Sequence, residues 1–105
     1  MAGKPPVASG GKDERVLGPA ERATLARQFG ARVRELRMAA GLTPDELGAR
    51  CGTVGQTISK IENGRLEPRV SQIVQICQGL DVTPKTLLGD LVRPRRASRG
   101  RERNS

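Results

Sequence analysis

The sequence predicts an all-α fold, five short helices joined by tight turns and flanked by two polar tails. Three observations carry that reading. Apolar residues recur at helical spacings of three and four in successive stretches, as Leu25, Phe29, Val33 and Leu36 do. The stretches are punctuated by helix signals: Thr43-Pro44 and Thr83-Pro84 open helices, and Gly41, Gly52 and Asn63-Gly64 close them. No stretch keeps the period of two expected of a half-buried strand, and no unit repeats as in a solenoid. A chain of 105 residues, 35% hydrophobic and with Phe29 as its single aromatic residue, has material for one small domain with an aliphatic core.

Residues 1–18 are read as a disordered N-terminal segment, because Val7 and Val16 are the only bulky apolar residues in its first sixteen and cannot offset the entropy of ordering. The domain is expected over 19–92. Its first helix runs to Ala40 and stops at Gly41. Gly30 inside it costs up to about 1 kcal/mol relative to alanine, which places the proper start near Gln28 with an extra turn upstream. The second helix has the clearest start: Thr43 caps, Pro44 suits the first helical position, and Glu46 completes a capping box. Leu47 and Cys51 face inward and Gly52 ends it. The third helix is expected from about Gly55 to Glu62, with Ile58 and Ile61 inward. After Pro68 a fourth helix sets Val70, Ile73, Val74, Cys77 and Leu80 on one side, with Gln72, Gln75 and Gln78 elsewhere on its surface. The fifth follows Thr83-Pro84 and presents Leu87, Leu88 and Leu91. Val33, Leu36, Leu42, Leu47, Ile58, Ile61, Ile73, Ile76, Leu80, Val82 and Leu87 form the expected core. Residues 93–105 are read as a disordered, arginine-rich tail.

The formal net charge of +8 suggests a polyanionic partner, but its distribution is uneven. Residues 1–27 carry a net +2, residues 28–92 a net +1 and residues 93–105 a net +5. The compact part is nearly neutral. The chain has no histidine, and Cys51 and Cys77 lack C-x-x-C spacing, so they read as buried, reduced core thiols and no metal or cofactor is expected. With no phosphate-binding glycine loop and no paired carboxylates in an evident cleft, the residues argue against an enzyme and show no small-molecule ligand. Neither an export signal nor a stretch of membrane-spanning length is visible, so a cytoplasmic protein without a membrane partner is expected.

The informative segment is residues 43–63. Two short helices meeting at a steep angle need a residue without bulk at their contact, a glycine in the turn and branched apolar residues on the second helix; Gly48, Gly52, Ile58 and Ile61 supply these. Here the sequence strongly resembles the lambda-repressor-like (Cro/CI-type, XRE) helix-turn-helix family. The resemblance spans Phe29 to about Leu88 and covers Phe-Gly-x-Arg-Val-Arg-x-Leu-Arg, Leu-Thr-Pro-Asp-Glu-Leu, Ile-Ser-Lys-Ile-Glu-Asn-Gly-Arg, the Glu-Pro loop and Leu-Asp-Val-Thr-Pro.

That resemblance implies a sequence-specific, DNA-binding transcriptional regulator of the nucleoid whose third helix lies in the major groove of double-stranded DNA. It makes Gln56 and Lys60 the base readers, gives Ser59 a lesser contact, and leaves Gly55 only close backbone approach. Thr57, Asn63, Arg65 and Arg69 become phosphate contacts. Arg37 and Glu62 are implied to pair structurally, tying helix one to the end of helix three. Two departures weaken the match. Pro44 stands where many members place a phosphate-contacting glutamine, and Thr53-Val54 replaces the usual apolar-Ser pair, so either Thr53 caps helix three from one residue earlier or no side chain does. A homodimer is expected, because one recognition helix reads few base pairs. Leu88, Leu91 and Val92 are either its contacts or the seal on the same domain's core. The alternative is a protein-interaction module of the same fold, an antitoxin or transcription adaptor. Its DNA affinity would come from non-specific contacts of Arg93, Arg95, Arg96 and Arg99.

Overall fold

A computed structural model of the chain describes residues 17–89 together with 91–92. The expected tail contacts Arg93, Arg95, Arg96 and Arg99, and the segment 1–16, lie outside the described residues. Five helices follow in order: α1 (Pro19–Ala39), α2 (Pro44–Cys51), α3 (Gly55–Glu62), α4 (Val70–Leu80) and α5 (Pro84–Leu88). Among the described residues there is no strand.

The first helix departs from expectation. It is continuous from Pro19, with proline in its first turn and Glu21 beside the positive N-terminal end. Gly30 does not mark a start. It is buried where α1 crosses the end of α3, and a Cβ there would collide with the carbonyl oxygen of Ile61 and lie 2.6 Å from that of Glu62. The glycine sacrifices helix propensity so that two backbones can touch.

Helix α2 starts as the sequence indicates. The Glu46 amide donates to Thr43 Oγ1 at 3.0 Å, and the Thr43 amide donates to Glu46 Oε1 at 2.8 Å, which closes the capping box. It ends at Gly52, whose φ of 76° is the left-handed conformation a tight stop requires. Helix α4 begins with the Arg69 amide donating to Gln72 Oε1 at 2.8 Å. Helix α5 is opened by Thr83, whose side chain accepts from the Thr86 amide at 3.2 Å. It ends at Leu88, so Leu91 sits in the following turn, its amide bonded to the Leu88 carbonyl.

Phe29, Val33, Leu47, Ile58, Ile61, Ile76 and Leu87 form the buried centre, joined by Cys51, Cys77 and Leu80. Leu36, Leu42, Ile73, Val82, Leu88 and Leu91 pack around it half-buried. Leu66, in the loop after α3, joins them without having been singled out by the helical pattern. The face of α4 is rotated from the expected one. Val70 is 78% exposed and Val74 49%, because the buried stripe is centred on Ile76 and Leu80. Gly79 fixes that rotation: a Cβ there would stand 2.7 Å from Cys51 Sγ, so α4 seats its bare backbone against α2. Gln72 and Gln75 are consequently half-buried instead of free on the surface.

Both cysteines are free and buried, and burial pushes both thiols up from their ordinary ionisation range. A group whose folded pKa is raised stabilises fully below its unfolded value and loses that contribution as pH rises above it. Stability is therefore expected to decline above the ordinary thiol value of 9.0, and both thiols should resist alkylation until the domain unfolds. Alkylation under native and denaturing conditions, followed by mass measurement, checks this; rapid native modification of either thiol would contradict it.

Candidate nucleic-acid interface

Helices α2 and α3 meet through backbone. A Cβ on Gly48 would lie 2.7 Å from the carbonyl carbon of Val54 and 2.9 Å from the Gly55 nitrogen, so only glycine lets the helices approach this closely. Gly52 turns the chain, and the Thr53 amide bonds back to the Gly48 carbonyl at 2.8 Å. Ile58 and Ile61 then anchor α3 in the core, and this inward pair decides which residues face out.

Gln56 and Lys60 are exposed, as is Asn63 at the C-cap. Their spacing of four and three residues sets them along one stripe of α3. Ser59 lies beside the stripe, half-buried. Thr57 is half-buried on the opposite shoulder, where it lines a small crevice with Cys51, Thr53, Gln72 and Gln75. Its hydroxyl is thus less accessible to a phosphate than expected. Gly55 requires a correction: it is buried, and a Cβ on it would press on the Asp45 carboxylate, 2.9 Å from Cγ. Gly55 serves the packing of α3 on α2, and its α-carbon does not face the open stripe.

No side chain caps α3, whose N-cap is Val54. Of the two alternatives for this helix start, the uncapped one holds. Asp45 supplies another form of support, since its carboxylate lies against the first turn of α3, where the unpaired amides favour negative charge. Sequence reasoning missed Asp45, because nothing local links it to Gly55; the helix crossing brings them together.

The C-terminal end of α3 is held more firmly. Arg37 Nε donates to Glu62 Oε2 at 2.6 Å and Arg37 Nη2 to Glu62 Oε1 at 3.1 Å, a two-pronged pair, while Nη1 donates to the Leu42 carbonyl at 2.6 Å. The two side chains are 11% and 6% exposed. Hydrogen bonding to Glu62 pushes the Arg37 guanidinium up from its ordinary value, against the opposing pull of burial. One arginine thus ties α1, the α1–α2 turn and the end of α3 together. The Asn63 side-chain amide donates to the Ser59 carbonyl at 2.9 Å, which closes the last turn and uses one of its two amide hydrogens.

Arg65 and Arg69 are both exposed, at the start of the loop after α3 and at the N-cap of α4. The Arg65 amide bonds the Lys60 carbonyl at 2.8 Å, which places Arg65 at the foot of the exposed stripe. Among the described residues neither arginine pairs with a carboxylate, nor does Lys60; Glu62 is taken by Arg37, and Glu67 lies 3.4 Å from Arg22. The described residues contain no cluster able to hold a metal ion and no helix long and apolar enough to cross a membrane.

This geometry can be set beside known proteins. The helix-turn-helix domain family matches residues 28–87, more than half of the chain. No curated protein matches it. Among solved structures, the chain is similar to the restriction-modification controller protein C.AhdI from Aeromonas hydrophila, with 31% identity and a TM-score of 0.58 over 59% of this chain and 94% of that one. The family match covers α2, the turn and α3 with the helices that support them. The chain therefore belongs to the lambda-repressor-like helix-turn-helix family of DNA-binding transcription regulators.

Proposed function

We propose that the protein is a sequence-specific regulator of transcription that lays α3 in the major groove of double-stranded DNA and reads bases with Gln56 and Lys60. The observation that carries this reading is the exposed stripe Gln56, Lys60 and Asn63 on a helix pinned from behind by Ile58 and Ile61 and at its end by the Arg37–Glu62 pair. Glutamine can bond adenine through two groups, and lysine can donate to both major-groove acceptors of guanine. Ser59 adds a lesser contact from the side of the stripe. Asn63, Arg65 and Arg69 supply phosphate contacts that set register, with a smaller share from Thr57. With one short, uncapped helix to read DNA, intrinsic specificity is modest, and the protein acts as a dimer. Leu88 and Leu91 border an apolar cleft of about 280 Å³ between α1 and the end of the domain, and Val92 on its rim is 63% exposed, which supports pairing there. The controller role of the similar protein supports a regulatory rather than architectural use of DNA binding.

The test is a gel-shift titration at two salt concentrations with a duplex selected from a random pool, using the full chain, a variant lacking residues 93–105, and Gln56→Ala/Lys60→Ala. The expected result is selective binding that survives removal of the tail. The double variant should lose about 10- to 100-fold on the selected duplex and little on an unselected one, since a good base contact is worth ~1–3 kcal/mol of discrimination. Binding abolished by deleting residues 93–105 would instead support the protein-interaction module. Sedimentation of the full chain with and without Leu91→Glu reports on the dimer.

A further inference from the structure

We propose that the N-terminal extension of α1 adds a DNA phosphate contact, Arg27, to the interface, continuing the cationic edge formed by Lys60 and Arg65. This rests on the reading of α3 as the DNA-facing helix. The helix-turn-helix match begins at residue 28, whereas α1 begins at Pro19, so Arg27 belongs to a stretch of helix outside the shared domain. That stretch is docked on the loop that leaves α3. Gly64 has a φ of 74°, and a Cβ on it would stand 2.6 Å from Arg27 Cγ and 3.1 Å from Arg27 Cα. The stem of Arg27 therefore lies against the residue between Asn63 and Arg65. Arg65 in turn is bonded through its amide to the Lys60 carbonyl. Arg27 thus lies against Gly64, the residue before Arg65, and the backbone of Arg65 is bonded to that of Lys60, so the three basic residues belong to neighbouring positions at the foot of α3.

The charge pattern separates Arg27 from most of its neighbours on α1, and the contact with Gly64 separates it from Arg34, which likewise has no carboxylate partner among the described residues. Arg22 pairs with Glu67, Arg32 with Glu35 and Arg37 with Glu62. Arg27 is exposed and makes one weak side-chain contact, 3.4 Å to the Thr24 hydroxyl on its own helix, with no carboxylate partner among the described residues. Its stem is held by Gly64 while its guanidinium is left available. That arrangement suits a phosphate oxygen, which a guanidinium can grip through two parallel hydrogen bonds. A cation near the negative end of α3 also relieves the helix dipole, so a test must separate the two roles.

Binding of the full chain to a duplex selected from a random pool, and to an unselected duplex of equal length, is measured across a salt series for wild type, Arg27→Gln, Arg27→Lys, Arg65→Gln and Lys85→Gln. Arg27→Gln is expected to weaken binding by the same factor on both duplexes and to lower the salt slope by about one, as loss of one phosphate contact does. Arg27→Lys should restore the slope, and Lys85→Gln, which removes a charge from α5, should leave it unchanged. Thermal melts of each variant report the dipole role separately. An Arg27→Gln slope equal to wild type, while Arg65→Gln lowers it, overturns the Arg27 contact and leaves the α3 reading intact. Loss of all binding on removal of residues 93–105 overturns both.

Discussion

Gly30→Ala is expected to destabilise the domain by at least about 3 kcal/mol, although alanine is the better helix former by up to about 1 kcal/mol. The new methyl group would enter the space of the Ile61 and Glu62 carbonyl oxygens, the latter 2.6 Å away. Those atoms are backbone, so no rotamer change relieves the clash; α1 must lift from α3 or α3 must shift. Lifting α1 also pulls the Arg37–Glu62 pair apart, since both contacts join the same two helices. Overpacking of a tight site typically costs ~1–3 kcal/mol, and the rigidity of the obstacle with the coupled ion pair places this case at or above the upper end. Against a total stability of ~5–15 kcal/mol that is a large fraction. Gly41→Ala is the contrasting control. Nothing lies within 4 Å of a Cβ there, and its cost is the strain of a φ of 75°, ~1–2 kcal/mol. Urea denaturation of both variants distinguishes the two causes. A Gly30→Ala midpoint at or above wild type would show that the helices do not approach as closely as described.

The residues that decide these two costs also show what the sequence could convey. The capping box of α2 and the stops at Gly52 and Gly64 are written in neighbouring residues, and the structure has them at the expected positions. The outward stripe of α3 was legible for the same reason: once Ile58 and Ile61 are inward, the helical period puts Gln56 and Lys60 outside. Gly30 was misread because its function is a contact with α3, more than thirty residues away, whereas propensity sees only its own helix. Val70 and Val74 were misassigned because the rotation of α4 is set by Gly79 against Cys51, and a shift of one shoulder leaves the apolar spacing intact. Gly55 and Thr57 belong to the same class. Asp45 and the half-buried Gln72 and Gln75 determine their surroundings, and none of the three is local in sequence.

Those long-range contacts shape the proposed binding surface as much as the exposed residues do. Helix α3 is eight residues long and lacks a side-chain cap, so it would be marginal alone. Asp45 supports its first turn, Ile58 and Ile61 its middle, and Arg37 its end. Contacts to bases need side chains held in place before DNA arrives, because ordering them on binding would consume affinity. The firm end of α3 is the one beside Lys60, Asn63 and Arg65; the lightly supported end is beside Gln56. A cap restored at its start, as in Val54→Ser, therefore bears mainly on Gln56.

Arg37→Ala is expected to cost ~3–5 kcal/mol, the range for removing one partner of a buried ion pair. The loss leaves the Glu62 side chain, 6% exposed, without its cation, and the Leu42 carbonyl without the donor at 2.6 Å. Replacing both partners should be far milder: Arg37→Met/Glu62→Leu removes the stranded charge with the pair, and such exchanges are often neutral or stabilising. The double-mutant cycle should therefore show strong coupling, and additive single effects would overturn the structural assignment of the pair. Its pH behaviour is a second signature. The Arg37 pKa is raised in the folded state, so its stabilising contribution is complete below the unfolded value, which already lies near the top of the alkaline range, and is flat across neutral pH. The weakening above the ordinary thiol range belongs to Cys51 and Cys77, and it should persist unchanged in Arg37→Met/Glu62→Leu. DNA selectivity offers a third readout. In the double variant the domain stays folded, but the end of α3 loses its two-pronged tether to α1, so Lys60 should discriminate less between bases even where stability is restored.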